Sequence, residues 1–178
     1  SGVLTKQLVV YPRVALTIAI NGYDDGASTG QVRRFLGDGL GPSDFRKNAS
    51  RLASELKSCS DALIAVLDYR LPVGCTRSEA LAILGLIRHP DTAASDVHRD
   101  AGDMAARLPS TERRAVCERL EAFERELAAR SRAFDFSDCS VGNLVFAGSF
   151  LQKGRVFNDA LADYCALAGL PPGMIENV

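Results

Sequence analysis

Histidine is scarce in this chain, with only His89 and His98 present, and no C-x-x-C pair or His-Cys cluster occurs. A zinc centre is therefore not expected. His98 falls at no metal-ligand spacing and reads as a surface residue in a polar, mobile loop over 91–103. The five cysteines, Cys59, Cys75, Cys117, Cys139 and Cys165, are odd in number and far apart. That pattern argues for reduced, mostly core thiols in a cytoplasmic protein. No apolar run approaches the roughly 20 residues of a membrane span, and no signal peptide opens the chain. The formal net charge of −1 supplies no field that would draw the chain to nucleic acid or an anionic membrane. No Ser-His-Asp or Cys-His constellation stands out for covalent catalysis.

What is present is one domain's worth of chain: 178 residues, 47% apolar and 24% charged. Its organising stretch is 14–49. Residues 14–20 form an apolar and β-branched run, the pattern of a parallel strand covered on both faces. Asn21, Gly22, Asp24, Asp25 and Gly26 follow at its carboxyl end, where open α/β sheets bind ligands. Ser28-Thr29-Gly30-Gln31 then reads as a capping box, so a helix starts just after the acidic pair. Helix N–H groups seat a phosphate, Asp24 and Asp25 offer hard oxygen ligands to a bridging Mg²⁺, and Gly26 and Gly30 allow close backbone approach.

A second turn, 39–44, leads into a helix with Phe45, Ala49, Leu52, Ala53 and Leu56 on its apolar face and Asp44, Lys47 and Arg51 opposite. Arg46 sits near its N-terminus, a planar fork suited to a diphosphate or carboxylate, unless it only pairs with Asp44 or Ser50 on its own helix.

The order of these segments resembles the superfamily that joins 2-phospho-L-lactate transferase (CofD) to the gluconeogenesis-factor, YvcK-like proteins. Its members of the second type carry D-D-G-G-S-S-G-x-L-R, matched by Asp24 to Arg33 with Ala27 for a Gly and Thr29 for a Ser. Their G-D-I-R-N is matched by Ser43-Asp44-Phe45-Arg46 and, one residue late, Asn48. Their G-H-S-x-G-N-L is matched by Asp138-Cys139-Ser140-Val141-Gly142-Asn143-Leu144, with Cys139 where relatives have His. The resemblance implies an α/β fold, a Rossmann-like three-layer parallel sheet flanked by helices, truncated at both ends here and helix-rich in the covered part. It implies one CofD-like nucleotide-binding domain over 1–178, with a helical insertion over 76–133 acting as a lid or as the contact of a homodimer. It further implies that Ser1 and Gly2 are the last residues of a phosphate-binding glycine loop. Asn21, Gly26, Ser28, Thr29, Asp44, Lys47, Asn48, Ser140, Gly142 and Asn143 would then bind the ligand, with Asp24, Asp25 and Arg46 at the reacting phosphate.

The middle of the chain reads helical. Thr76-Arg77-Ser78-Glu79 is a capping box, and Ala80, Ile83, Leu84 and Ile87 make one face before His89-Pro90. Ser110 caps a helix to about Arg132, with Val116, Leu120, Phe123 and Leu127 as its apolar stripe and its charges on a solvated face. Ser140 and Gly142 begin a helix apolar nearly all round, hence central. Asn158 caps the last helix and Gly169 ends it; 174–178 begins something undeveloped. A lone strand leaves both edges unpaired, so other strands are expected, either in a longer fold or in weak runs such as 62–67.

Two functions follow from the resemblance. One is Mg²⁺-dependent transfer of a phospho group from a GDP- or UDP-linked donor to an acceptor hydroxyl, chemistry that rests on positioning and charge neutralisation. The other is a non-catalytic UDP-sugar-binding regulator of carbon or cell-envelope metabolism.

Overall fold

The structure, a computed structural model, describes residues 2–11, 13–23, 27–37, 40–90, 98–130 and 133–178, with side chains at all of these except 2–4, 6, 27, 28 and 43. In chain order it contains α1 (Gly2–Val9), β1 (Ile18–Ile20), α2 (Ala27–Leu36), α3 (Ser43–Leu56), α4 (Asp61–Asp68) and α5 (Arg77–Arg88). After these come α6 (Arg99–Ala106), α7 (Ser110–Ala129), α8 (Val141–Gln152), α9 (Phe157–Leu167) and β2 (Ile175–Asn177).

This corrects the expected architecture. The described residues are 63% helical and hold a single two-stranded parallel sheet, not a three-layer parallel sheet. Of the run 14–20 only Ile18–Ile20 pairs, and Val14 and Ala19 are exposed, so the strand is not covered on both faces. Its partner is the tail, with Ile18 opposite Ile175 and Ile20 opposite Asn177. The run 62–67 is helical because Ser60 caps it, accepting from Leu63 N at 3.0 Å.

The centre is α8, whose residues from Val141 to Phe150 are all buried. It lies against α7 and α9, with α2, α3 and α4 completing its surround. Because neighbours cover it on every side, its apolar residues need no polar face. The stripe Val116, Leu120, Phe123 and Leu127 of α7 is fully covered, and residues of α5, α6 and α7 belong to the same continuous core as α8. Phe35, Phe123, Phe134 and Phe136 pack tilted or edge-on with centroids 4.7–6.3 Å apart, joining α2 and α7 to the segment before α8.

Several local expectations change. Arg99–Asp103 is helical, and the rest of the expected loop, 91–97, lies outside the described residues. His98 is partly buried and faces Glu79 at 3.4 Å. The N-cap positions of α7 and α9 are Pro109 and Val156, so Ser110 and Asn158 stand inside their helices. The charges of α7 are not simply solvated. Arg119 is buried and meets Asp163 at 2.8 Å and Ser149 at 3.0 Å, while Glu126 accepts from Arg130 and from Arg155. No helix among the described residues is long and apolar enough to cross a membrane.

Candidate functional site

The carboxyl end of β1 meets the start of α3. Gly22 N donates to Asn177 Oδ1 at 3.3 Å, and Gly41 N donates to Gly22 O at 2.9 Å. Gly41 is also pressed on α2, since a Cβ there would lie 2.5 Å from Thr29 Cγ2 and 2.7 Å from Arg33 Cγ. A side chain larger than hydrogen would push the turn before α3 away from α2. Thr29 is buried, and Asn21 is exposed with its Oδ1 accepting from Tyr23 N at 2.9 Å. Asp24, Asp25, Gly26 and Ser1 lie outside the described residues. Gly2 and Ser28 are known by backbone alone, in the first turns of α1 and α2.

From the first turn of α3, Arg46 turns inward. Its Nη1 reaches Asp68 Oδ1, at the end of α4, at 2.6 Å, and Ser50 donates to the same oxygen at 3.0 Å. Asp44 and Lys47 remain on the outer face 3.5 Å apart, and Asn48 Nδ2 donates to the Asp44 carbonyl. Arg46, Lys47, Ser50, Arg51, Asp68 and Arg70 border an open groove of about 410 Å³.

The third motif joins Arg46 from the other side. Residues 69–71 run antiparallel to 139–141 through Leu71 N to Cys139 O and Val141 N to Tyr69 O, each 2.9 Å. That pairing seats the start of α8 beside the end of α4. Ser140 is buried and its hydroxyl caps α8 by accepting from Asn143 N, so it is not an exposed nucleophile. The Asn143 side chain is buried as well. At Gly142 a Cβ would lie 2.5 Å from Leu67 O, 2.6 Å from Arg46 Cδ and 2.9 Å from Tyr164 Oη. Glycine here therefore permits the close approach of α3, α4 and α9 to the α8 N-terminus.

Arg70 forks onto Asp138 through Nε at 2.6 Å and Nη2 at 2.7 Å, and this hydrogen-bonded guanidinium holds the Asp138 carboxyl below its ordinary range. Cys139, in the place of the relatives' His, is fully buried, and burial pushes its thiol up to about 12. It is neither an imidazole substitute nor a thiolate nucleophile.

Motifs one and two thus meet at Gly22 and Gly41, and motifs two and three meet at Arg46 and Gly142. Sequence reasoning missed Asp68, Arg70 and Tyr164. Only the common helical face of Arg46 and Ser50 signalled that a partner approached them, and it did not say from where. No group of three His, Cys, Asp or Glu side chains able to hold a metal occurs among the described residues. Comparison with protein-family models, with curated proteins and with solved structures returns no match for this chain.

Proposed function

We propose that the protein binds a nucleoside diphosphate or nucleotide sugar and acts as a phospho-group transferase resembling 2-phospho-L-lactate transferase. The observation that carries this reading is the close approach of Arg46 to Gly142, which joins the second and third motifs at one helix N-terminus. Gly22 and Gly41 bring the first motif to the same end of α3. Around that end Arg46, Lys47, Arg51 and Arg70 supply cationic charge, while Ser50 and Asp68 fix the buried guanidinium. Such a set binds and orients a diphosphate.

A Mg²⁺ would rest on Asp24 and Asp25, and when bound it would neutralise charge on the diphosphate. The residues described around Arg46 offer no activated nucleophile: Ser140 caps a helix, Ser50 is bonded to Asp68 and Cys139 is buried. The reaction they support is direct attack by an acceptor hydroxyl on phosphorus, with the nucleotide leaving. Arg46 would hold the phosphoryl oxygens, and Lys47 and Arg51 on the same groove would add cationic charge to stabilise them.

The test is a thermal-shift and calorimetry series with GDP, UDP, UDP-sugars and ADP, each with and without Mg²⁺. A ligand that binds the folded state raises its melting temperature. No shift with any of them removes the reading. Tight binding of UDP-sugars without release of nucleotide when acceptor hydroxyls are added supports the regulatory alternative instead.

A further inference from the structure

The Arg46 side chain is 8% exposed, whereas its partner Asp68 is 47% exposed. One oxygen of Asp68 receives both Arg46 Nη1 and the Ser50 hydroxyl. One edge of the guanidinium is therefore pinned by Asp68 of the neighbouring helix α4, which Ser50 of α3 holds in turn. Its other end differs: Arg46 Nε is buried and has no hydrogen-bond partner among the described residues. The guanidinium is planar, so fixing Nη1 also fixes the direction of Nε and Nη2. Buried polar atoms are nearly always paired, and an unpaired donor beside a polar groove is a place for an oxygen from outside the protein.

Resting on the nucleotide-binding reading above, we propose that Asp68, supported by Ser50, is a positioning residue that orients Arg46 so that its Nε–Nη2 edge meets a phosphate oxygen of the ligand. A carboxylate repels phosphate, so Asp68 acts through Arg46 and not by touching the ligand. Lys47 and Arg51 line the same groove and offset the Asp68 charge. A counter-ion role alone would require Asp68 only for folding. The positioning role requires it for affinity in protein that is already folded.

The experiment compares the parent with Asp68→Ala, Asp68→Asn and Ser50→Ala. In the ligand-free proteins, the Arg46 Nε–H signal in a ¹H–¹⁵N spectrum reports side-chain order. It should be resolved and slow to exchange in the parent, retained in Asp68→Asn, which keeps an acceptor oxygen, and averaged with the solvated arginines in Asp68→Ala. Calorimetry with GDP and UDP in Mg²⁺ buffer should show Kd raised about 10-fold or more in Asp68→Ala and roughly threefold in Ser50→Ala, as expected when a charge-assisted anchor or its helper is lost. A lower melting temperature with unchanged Kd overturns the positioning role, as does an unchanged Nε–H signal in Asp68→Ala. If Asp68→Ala does not fold, Ser50→Ala must still weaken binding, and a parental Kd in Ser50→Ala then overturns the proposal. Failure of the parent to bind either nucleotide overturns the reading of the site, whatever the Nε–H signal shows.

Discussion

The main chain of Gly148 lies directly against that of Arg119: a Cβ on Gly148 would stand 2.0 Å from the Arg119 carbonyl oxygen and 2.8 Å from its Cα. Here α8 crosses α7 backbone to backbone, and no side-chain rotation can relieve an added methyl. Gly148→Ala should therefore lose about 3 kcal/mol in urea unfolding, the upper range for overpacking a core. Gly85, inside α5, has nothing within 4 Å of its would-be Cβ. Gly85→Ala should stabilise by roughly 0.5–1 kcal/mol through helix propensity alone. Equal effects at the two sites would contradict the close crossing.

These local rules also mark what could be read without coordinates. The face Ala80, Ile83, Leu84 and Ile87 is buried as its spacing predicts, and Thr76 caps α5 by accepting from Glu79 N. Periodicity and capping act within one helix, so a sequence displays them. The pairing of Ile18 with Ile175 is not local, and no periodic signal connects residues so far apart. The partner of Arg46 failed for the same reason: its own helix offered Asp44 and Ser50, while the ion pair is made to Asp68 on α4. Arg119 looked solvated because α7 is rich in charge, and only the fold brings Asp163 to it.

Glu126 predicts a pH effect. It accepts from Arg155 at 2.9 Å and from Arg130, and the Arg155 hydrogen bond first, then that of Arg130, holds its carboxyl below the ordinary 4.5. A folded-state value below the unfolded one contributes stability that is present above about pH 4.5 and is lost as pH falls through the lowered folded value. Glu126→Gln should flatten the acid limb of stability against pH and leave the slope near neutrality unchanged. Urea midpoints across the pH series check this, and identical acid slopes would contradict it.

Cys139 predicts a chemical one. Fully buried, with its thiol pushed up to about 12, it carries almost no thiolate at neutral pH. Iodoacetamide should leave it unlabelled in the folded protein and modify it only at the rate of global opening. Cys59 and Cys117 are only partly buried and should react first. Mass spectrometry of labelled peptides, with and without denaturant, measures the order. Early labelling of Cys139 would mean that 139–141 separates from 69–71 in the native state.

The hydroxyl of Tyr164 is buried beside Gly142, without a hydrogen-bond partner among the described residues. Burial pushes its ionisation up, so it stays protonated and holds a donor in an apolar setting. Tyr164→Phe removes the unsatisfied group and should stabilise by about 1 kcal/mol. Lost stability would instead indicate a water bonded to this hydroxyl. Gly142→Ala should cost about 2 kcal/mol, because Leu67 O is main chain and cannot turn away. Arg46 Cδ and Tyr164 Oη can move, and the double variant Gly142→Ala/Tyr164→Phe relieves the second of these contacts. The two substitutions should therefore couple by roughly 0.5–1 kcal/mol in a double-mutant cycle, with the Leu67 contact leaving the rescue incomplete. Strict additivity would show that the added methyl moves the start of α8 away from Tyr164. In that event Gly142→Ala should also weaken nucleotide binding, because Arg46 then loses the surface against which its side chain is held.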